Sequence, residues 1–81
     1  MYEYVQVTLR SKDGKWKDID IKAHAKQPWE HIAEVLIENG IVKEEGNLCY
    51  RSLRQKKYFP GNLNSIEAEI YTGDIIEVGG C

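Results

Sequence analysis

Cysteine and proline are scarce in this sequence. Its 81 residues include two of each. A secreted domain of this size usually carries several disulfides, so two cysteines at unrelated positions indicate a reducing, cytosolic compartment. Cys49 lies in an apolar run between Leu48 and Tyr50. We therefore expect it to be a buried thiol with only a structural role.

Strong charge of one sign and long apolar runs are also missing. The formal net charge is −2. Proteins that bind duplex nucleic acid usually carry clustered lysine and arginine, so this charge does not favour such a partner. The longest apolar run, Val35-Leu36-Ile37, is far shorter than a membrane span of about 20 residues. Met1 leads into a strand pattern and not into a secretory signal. We expect protein partners, no nucleic acid, no membrane span and a cytoplasmic location.

Catalytic and metal-binding motifs are absent from the sequence. It has no GxSxG, no phosphate loop and no HExxH, which are the local signatures of several enzyme classes. His24 and His31 have no acid, nucleophile or metal partner at a useful spacing, and two cysteines are too few for an iron–sulfur cluster. We therefore expect no catalytic residue, no metal, no cofactor and no enzymatic activity.

Two stretches of alternating apolar and polar residues open the chain, residues 5–10 and residues 18–23. This period of two is typical of half-buried strands. Asp13-Gly14 lies between them and favours a hairpin turn, because glycine adopts positive φ freely. The pattern predicts a β-hairpin with one solvated face.

The period then changes to that of a helix. From Pro28, apolar residues recur at intervals of three and four as far as Ile37, which predicts an amphipathic helix. Asn39-Gly40 then predicts the end of that helix. Short apolar stretches at 48–51, 58–59 and 75–78 predict further strands. The order ββαβ(β)β predicts an α+β domain whose last strand runs parallel to the first.

The approach to the last strand resembles the corresponding run of ubiquitin, with Leu63, Ile66, Ile70, Gly73-Asp74, Ile76 and Val78. The hairpin and the helix also fall where ubiquitin-like proteins place them. Within that superfamily the chain most resembles the bacterial YukD-like family of type VII secretion loci, whose relatives occur beside ubiquitin-activating and ubiquitin-conjugating enzyme homologues. The resemblance implies a β-grasp fold over residues 1–78, with one helix packed across a mixed sheet of four to five strands.

The last three residues, Gly79-Gly80-Cys81, resemble a flexible modifier tail. The resemblance implies that a peptidase removes Cys81 and that Gly80, with Gly79 before it, is conjugated by activating and conjugating enzymes and released by deconjugating ones. A bacterial ubiquitination-like pathway, for instance in antiphage defence, would use such a modifier. The glycine pair follows Val78 directly, which is closer to the strand than in ubiquitin. The alternatives are a non-conjugated adaptor of type VII secretion and a sulfur carrier.

Two groups of side chains are candidates for partner binding. Tyr4 and Trp16 fall on the polar phase of their strands, so they form either an exposed aromatic patch on the helix-free face or a cover for the sheet. The basic run is either a docking patch for an acidic surface or a solvated strand edge that resists aggregation. It consists of Arg51, Arg54, Lys56 and Lys57.

Overall fold

The computed structural model describes residues 3–81, so the first two residues of the predicted domain lie outside the described range. Within that range the chain forms five strands and one helix. They are β1 (Tyr4–Ser11), β2 (Ile19–His24), α1 (Trp29–Glu38), β3 (Leu48–Ser52), β4 (Lys57–Phe59) and β5 (Ile75–Gly80). This confirms the predicted α+β fold. No helix of residues 3–81 is both long and apolar enough to cross a membrane.

The strands form a single mixed sheet in the order β2-β1-β5-β3-β4. The hairpin β1–β2 is antiparallel, whereas β1 and β5 run parallel from the pair Thr8 and Ile75 to the pair Ser11 and Val78. β3 is antiparallel to both β4 and β5. The long connection after β4 therefore delivers β5 to the centre of the sheet, where it runs parallel to β1 as predicted.

The core lies between α1 and one face of the sheet. Alternate residues of the strands point into it, and Trp29 fills the centre with a 1% exposed side chain. Its indole Nε1 donates a hydrogen bond to Ser65 Oγ at 3.1 Å, which anchors the long loop before β5. The side chains that share this core are Val5, Val7, Leu9, Ile32, Ala33, Ile70, Ile76 and Val78.

The ends of α1 follow the residues that predict them. Pro28 stands at the N-cap with φ −61° and ψ 141°, just before the first helical residue. Gly40 adopts φ +71° after the helix, and the N–H groups of Ile41 and Val42 donate to the carbonyl of Leu36. A left-handed glycine of this kind lets the chain turn back and satisfy the last helical carbonyls.

The C-terminal segment differs from the predicted flexible tail at residues 79–81. Strand β5 continues through Gly79 and Gly80, which pair with Cys49 and Leu48 of β3. The N–H of Cys81 donates to the carbonyl of Asn47 at 3.3 Å. The reason is pairing between distant parts of the chain: β3 begins early enough to offer backbone partners to both glycines, and this outweighs their weak strand propensity.

Candidate interaction surfaces

A disulfide joins the C-terminal segment to β3. Cys49 and Cys81 are bridged across a sequence separation of 32 residues. The prediction that Cys49 is a buried free thiol is therefore wrong, because the β3–β5 register brings the two cysteines together. Such a bridge is favoured by an oxidising environment, so the reducing, cytosolic compartment stays a prediction.

Lys12, which follows β1, contacts the end of β5 on the side opposite β3. Its Nζ donates to the carbonyl of Gly80 at 3.2 Å, and its backbone N–H donates to the carbonyl of Val78 at 3.0 Å. Gly79 is buried beneath this side chain: a Cβ added at Gly79 would lie 2.5 Å from Lys12 Cβ. The predicted conjugation residues, Gly79 and Gly80, and the predicted processing residue, Cys81, are thus held by sheet pairing, a lysine and a disulfide.

Tyr4 and Trp16 do not form one aromatic patch. Tyr4 is 47% exposed at the start of β1, where its ring meets His24 edge-on at 5.2 Å and Lys22 Nζ lies 4.9 Å from the ring centroid. Trp16 lies beyond the opposite end of that strand and packs against the core. The structure therefore separates these two predicted partner-binding residues.

Trp16 instead belongs to a small polar cluster around the buried Glu44. Its Nε1 donates to Glu44 Oε2 at 2.7 Å, and Lys15 Nζ lies 3.7 Å from Glu44 Oε1. The Glu44 side chain is only 1% exposed, so these two partners replace the water that its carboxylate loses on burial. Sequence reasoning missed this cluster, because Glu44 lies in a polar turn that carries no signal of burial.

The predicted basic patch is divided between bonded and solvated residues. Arg54 lies 4.9 Å above the Tyr71 ring centroid, and its Nε is 3.9 Å from Asp74 Oδ2. Arg51 Nη1 is 3.5 Å from Glu77 Oε1. Lys56 and Lys57 are exposed and have no salt bridge within residues 3–81. Of the four predicted residues, only the two lysines are both exposed and without a salt bridge in the described part of the chain.

A row of four charged side chains, with a tyrosine at one end, crosses the helix-free face of the sheet. The strand register places them side by side, in the order Tyr58, Arg51, Glu77, Arg10 and, beyond the end of β2, Asp18. Arg10 Nη2 is 3.0 Å from Asp18 Oδ2, and this hydrogen bond, with the charge of Asp18, raises the pKa of Arg10. The positive and negative groups of this face therefore compensate one another.

A groove of about 640 Å³ runs between α1 and the β3–β4 hairpin, and we call it the helix–hairpin groove. Apolar residues from the helix and the sheet line it, namely Ile37, Leu48, Tyr50 and Phe59. Its rim on α1 carries Glu30, Glu34 and Glu38. The Cys49–Cys81 bridge borders one end. The groove combines an apolar floor with an acidic rim.

Close packing at Gly61 shapes the other end of the helix–hairpin groove. The carbonyl of Gly61 accepts a hydrogen bond from the N–H of Glu30 at 2.8 Å. A Cβ at Gly61 would lie 2.8 Å from Tyr50 Cε2, so only glycine allows this approach. Tyr50 stacks on Phe59 with ring centroids 5.8 Å apart. Burial, with a smaller effect of Glu30, raises the pKa of Tyr50 to about 12.

No protein-family model matches the chain, and no curated protein matches it in sequence. Solved structures do match. A de novo design based on ubiquitin is 13% identical with a TM-score of 0.69, and the match covers 96% of this chain and 89% of the design. The C-terminal ubiquitin-like domain of mouse tubulin-specific chaperone e is 9% identical with a TM-score of 0.70, covering 98% and 88% of the two chains.

A bacterial domain is similar as well. The EccD5 ubiquitin-like domain from Mycobacterium xenopi is 19% identical with a TM-score of 0.59, and the match covers 95% of this chain and 93% of that domain. Together with the observed strand order, these similarities show that the chain has a ubiquitin-like β-grasp fold. At these identities the similarity concerns the fold.

Proposed function

We propose that this domain is a non-enzymatic protein-interaction module that acts as an adaptor and binds its partner in the helix–hairpin groove. One observation carries the proposal: the groove exposes apolar side chains in a concave surface beside an acidic rim. A partner that buries apolar surface of this kind lowers the free energy of the system, because the surface is removed from water. On the helix-free face, by contrast, the charges of Arg10, Asp18, Arg51 and Glu77 are already compensated within the sheet.

The partner that we propose is a component of a type VII secretion machine. Two similarities support this choice, the sequence resemblance to YukD-like proteins and the fold similarity to the bacterial EccD5 domain. As an adaptor the domain would hold the partner without forming a covalent bond, in the cytoplasm.

Conjugation through Gly80 is the second candidate function. The glycine pair favours it, because a terminal glycine obstructs an activating enzyme least. It requires removal of Cys81, opening of the bridge and release of Gly79 and Gly80 from β3. A reducing cytoplasm would open the bridge, whereas the pairing and the Lys12 contact remain. Activating, conjugating and deconjugating enzymes would then be the partners, and a sulfur carrier would need the same release.

Site-specific photocrosslinking in the source organism tests the adaptor. A photoreactive residue is placed at Glu34, on the rim of the groove, and at Gln6 on the helix-free face as the matched control; both positions are exposed. We expect Glu34 to crosslink to a secretion-system protein and Gln6 to give no such product. Mass spectrometry of the protein recovered without illumination should find it unconjugated. Crosslinks from Gln6 alone, or conjugates linked through Gly80, would contradict the proposal.

A further inference from the structure

We infer that the helix–hairpin groove binds an amphipathic helix of its partner that presents lysine or arginine at every fourth position beside apolar residues. This inference rests on the proposed function and specifies the chemistry of the partner. Its two independent observations are the unpaired acidic rim on α1 and the apolar floor beside it.

The acidic rim has a regular spacing. Glu30, Glu34 and Glu38 are exposed and follow one another at intervals of four residues on the same side of α1. With a rise of about 1.5 Å per residue, their backbone positions repeat every 6 Å or so and extend over about 12 Å. A ligand that neutralises all three glutamates must therefore present positive charge with the same repeat.

The charges of this rim have no counterpart within residues 3–81. Each of the four salt bridges of the described chain lies elsewhere: Arg10–Asp18, Lys15–Glu44, Arg51–Glu77 and Arg54–Asp74. The lining of the groove contains no lysine and no arginine. The three carboxylates repel one another and anything acidic, so electrostatic complementarity favours a basic partner.

The apolar floor selects a partner that also brings apolar side chains. Ile37 and Leu48 are half-buried and line the groove, and they pack against the core from its edge. A helix laid beside α1 would cover them, because helices that pack side by side keep their axes 8–10 Å apart. Its basic residues at i, i+4 and i+8 would meet the three glutamates while the neighbouring apolar residues enter the floor.

Strand addition at β4, the sheet edge that borders the groove, suits a basic segment less well. The edge strand β4 has three residues, begins at Lys57 and is followed by Pro60. A proline lacks the N–H that a ladder needs, and an edge lysine disfavours pairing. Lys57, together with Lys56, would also repel a lysine-rich strand. The helical mode avoids both obstacles.

Binding of a designed peptide to the whole chain tests the inference. The probe is an alanine-rich helical peptide with lysine at i, i+4 and i+8 and leucine on the adjacent positions. A peptide of the same composition with the lysines dispersed around the helix is its control. We expect the striped peptide to bind at least tenfold more tightly than the dispersed one, and to lose affinity as salt rises. Amide shift changes should map to α1 and β3 around the groove.

A second test of the inference removes the charges of the acidic rim from the protein. The triple variant Glu30→Gln, Glu34→Gln and Glu38→Gln should weaken binding of the striped peptide at least tenfold. These residues are exposed, so thermal unfolding should change little. A charge-matched control removes three exposed carboxylates outside the groove, with the changes Glu3→Gln, Asp13→Asn and Glu67→Gln, and should bind as the unmodified chain does.

Three results would overturn the inference: equal binding of the two peptides, unchanged affinity of the rim variant, or shift changes on the helix-free face. The outcome also separates this inference from the proposed function. If the striped peptide fails while Glu34 still crosslinks to a secretion-system protein, the adaptor stands and the basic helix is rejected. If the Glu34 crosslink fails as well, both are rejected.

Discussion

Cys49 and Cys81 are 32 residues apart in the sequence, yet their Cα atoms lie 5.1 Å apart. Antiparallel pairing of β3 with β5 produces this proximity, because it places Gly79 opposite Cys49 and carries Cys81 just beyond it. The bridge therefore joins two segments that the sheet has already aligned. It closes a loop that contains the β3–β4 hairpin and the long connection to β5.

Removing the bridge should lower stability substantially. Closing a loop of 32 residues restricts the unfolded chain, which in the chain-entropy model corresponds to about 3 to 4 kcal/mol. We expect Cys81→Ser to reduce the free energy of unfolding by that order, measured by urea denaturation under oxidising conditions. Cys49→Ala should cost a similar amount, because it removes the same cross-link.

A reducing agent supplies the control for the cysteine variants. In excess dithiol, the unmodified chain should unfold near the urea midpoint that Cys81→Ser shows under oxidising conditions. The dithiol should not change the urea midpoint of Cys81→Ser itself. Equal stability of the unmodified chain with and without the dithiol would contradict a stabilising bridge.

Trp16 is expected to act in stability and not in partner binding. Trp16→Phe keeps an aromatic ring but removes the N–H that donates to the buried Glu44 carboxylate. A hydrogen bond to a charged group contributes about 1.5 to 3 kcal/mol, so the free energy of unfolding should fall by that order. Binding at the helix–hairpin groove should be unaffected. A loss of affinity without a loss of stability would restore Trp16 as a docking residue.

Tyr50 should make stability fall at high pH. Burial raises the pKa of Tyr50 to about 12, above the value of about 10 for an unfolded tyrosine. Between these two values the folded state retains a proton that the unfolded state loses. The contribution of the Tyr50 phenol to the free energy of unfolding is therefore complete below about pH 10 and is lost as the pH rises toward 12. Ultraviolet titration should reveal a phenol that ionises near pH 12, and this phase should be absent in Tyr50→Phe. Ordinary titration of every tyrosine would contradict this.

Local sequence patterns were sufficient to predict the order of elements. Gly14 adopts φ +70° in the predicted hairpin turn, and Gly40 adopts φ +71° after the predicted helix. Both positions depend on residues close in sequence, so periodicity and turn chemistry determine them. The parallel arrangement of β1 and β5 followed from the order of the elements and from the long connection before the last strand.

The candidate site was less predictable, because it depends on contacts between distant segments. The apolar period of α1 implies that its other residues form a polar side, but nothing local indicates that Glu34 borders an apolar floor that includes residues of β3. Likewise, the burial of Glu44 beside Trp16 and the pairing of Gly79 with Cys49 arise only once the sheet has formed. A glycine pair predicts flexibility from propensity alone, and tertiary pairing overrides it.

The two glycines of β5 should respond differently to the same substitution. A Cβ at Gly79 would lie 2.5 Å from Lys12 Cβ, an atom close to the backbone that cannot swing away, whereas a Cβ at Gly80 meets nothing within 4 Å. We expect Gly79→Ala to lower the free energy of unfolding by about 1 to 3 kcal/mol, as overpacking usually does, and Gly80→Ala to leave it nearly unchanged. Urea denaturation of both variants gives the comparison. If both alanines are tolerated equally, the strand end is as loose as a modifier tail requires, and conjugation through Gly80 becomes the stronger proposal. If only Gly79→Ala destabilises the fold, the close packing of the Lys12 side chain against β5 explains why residue 79 is glycine.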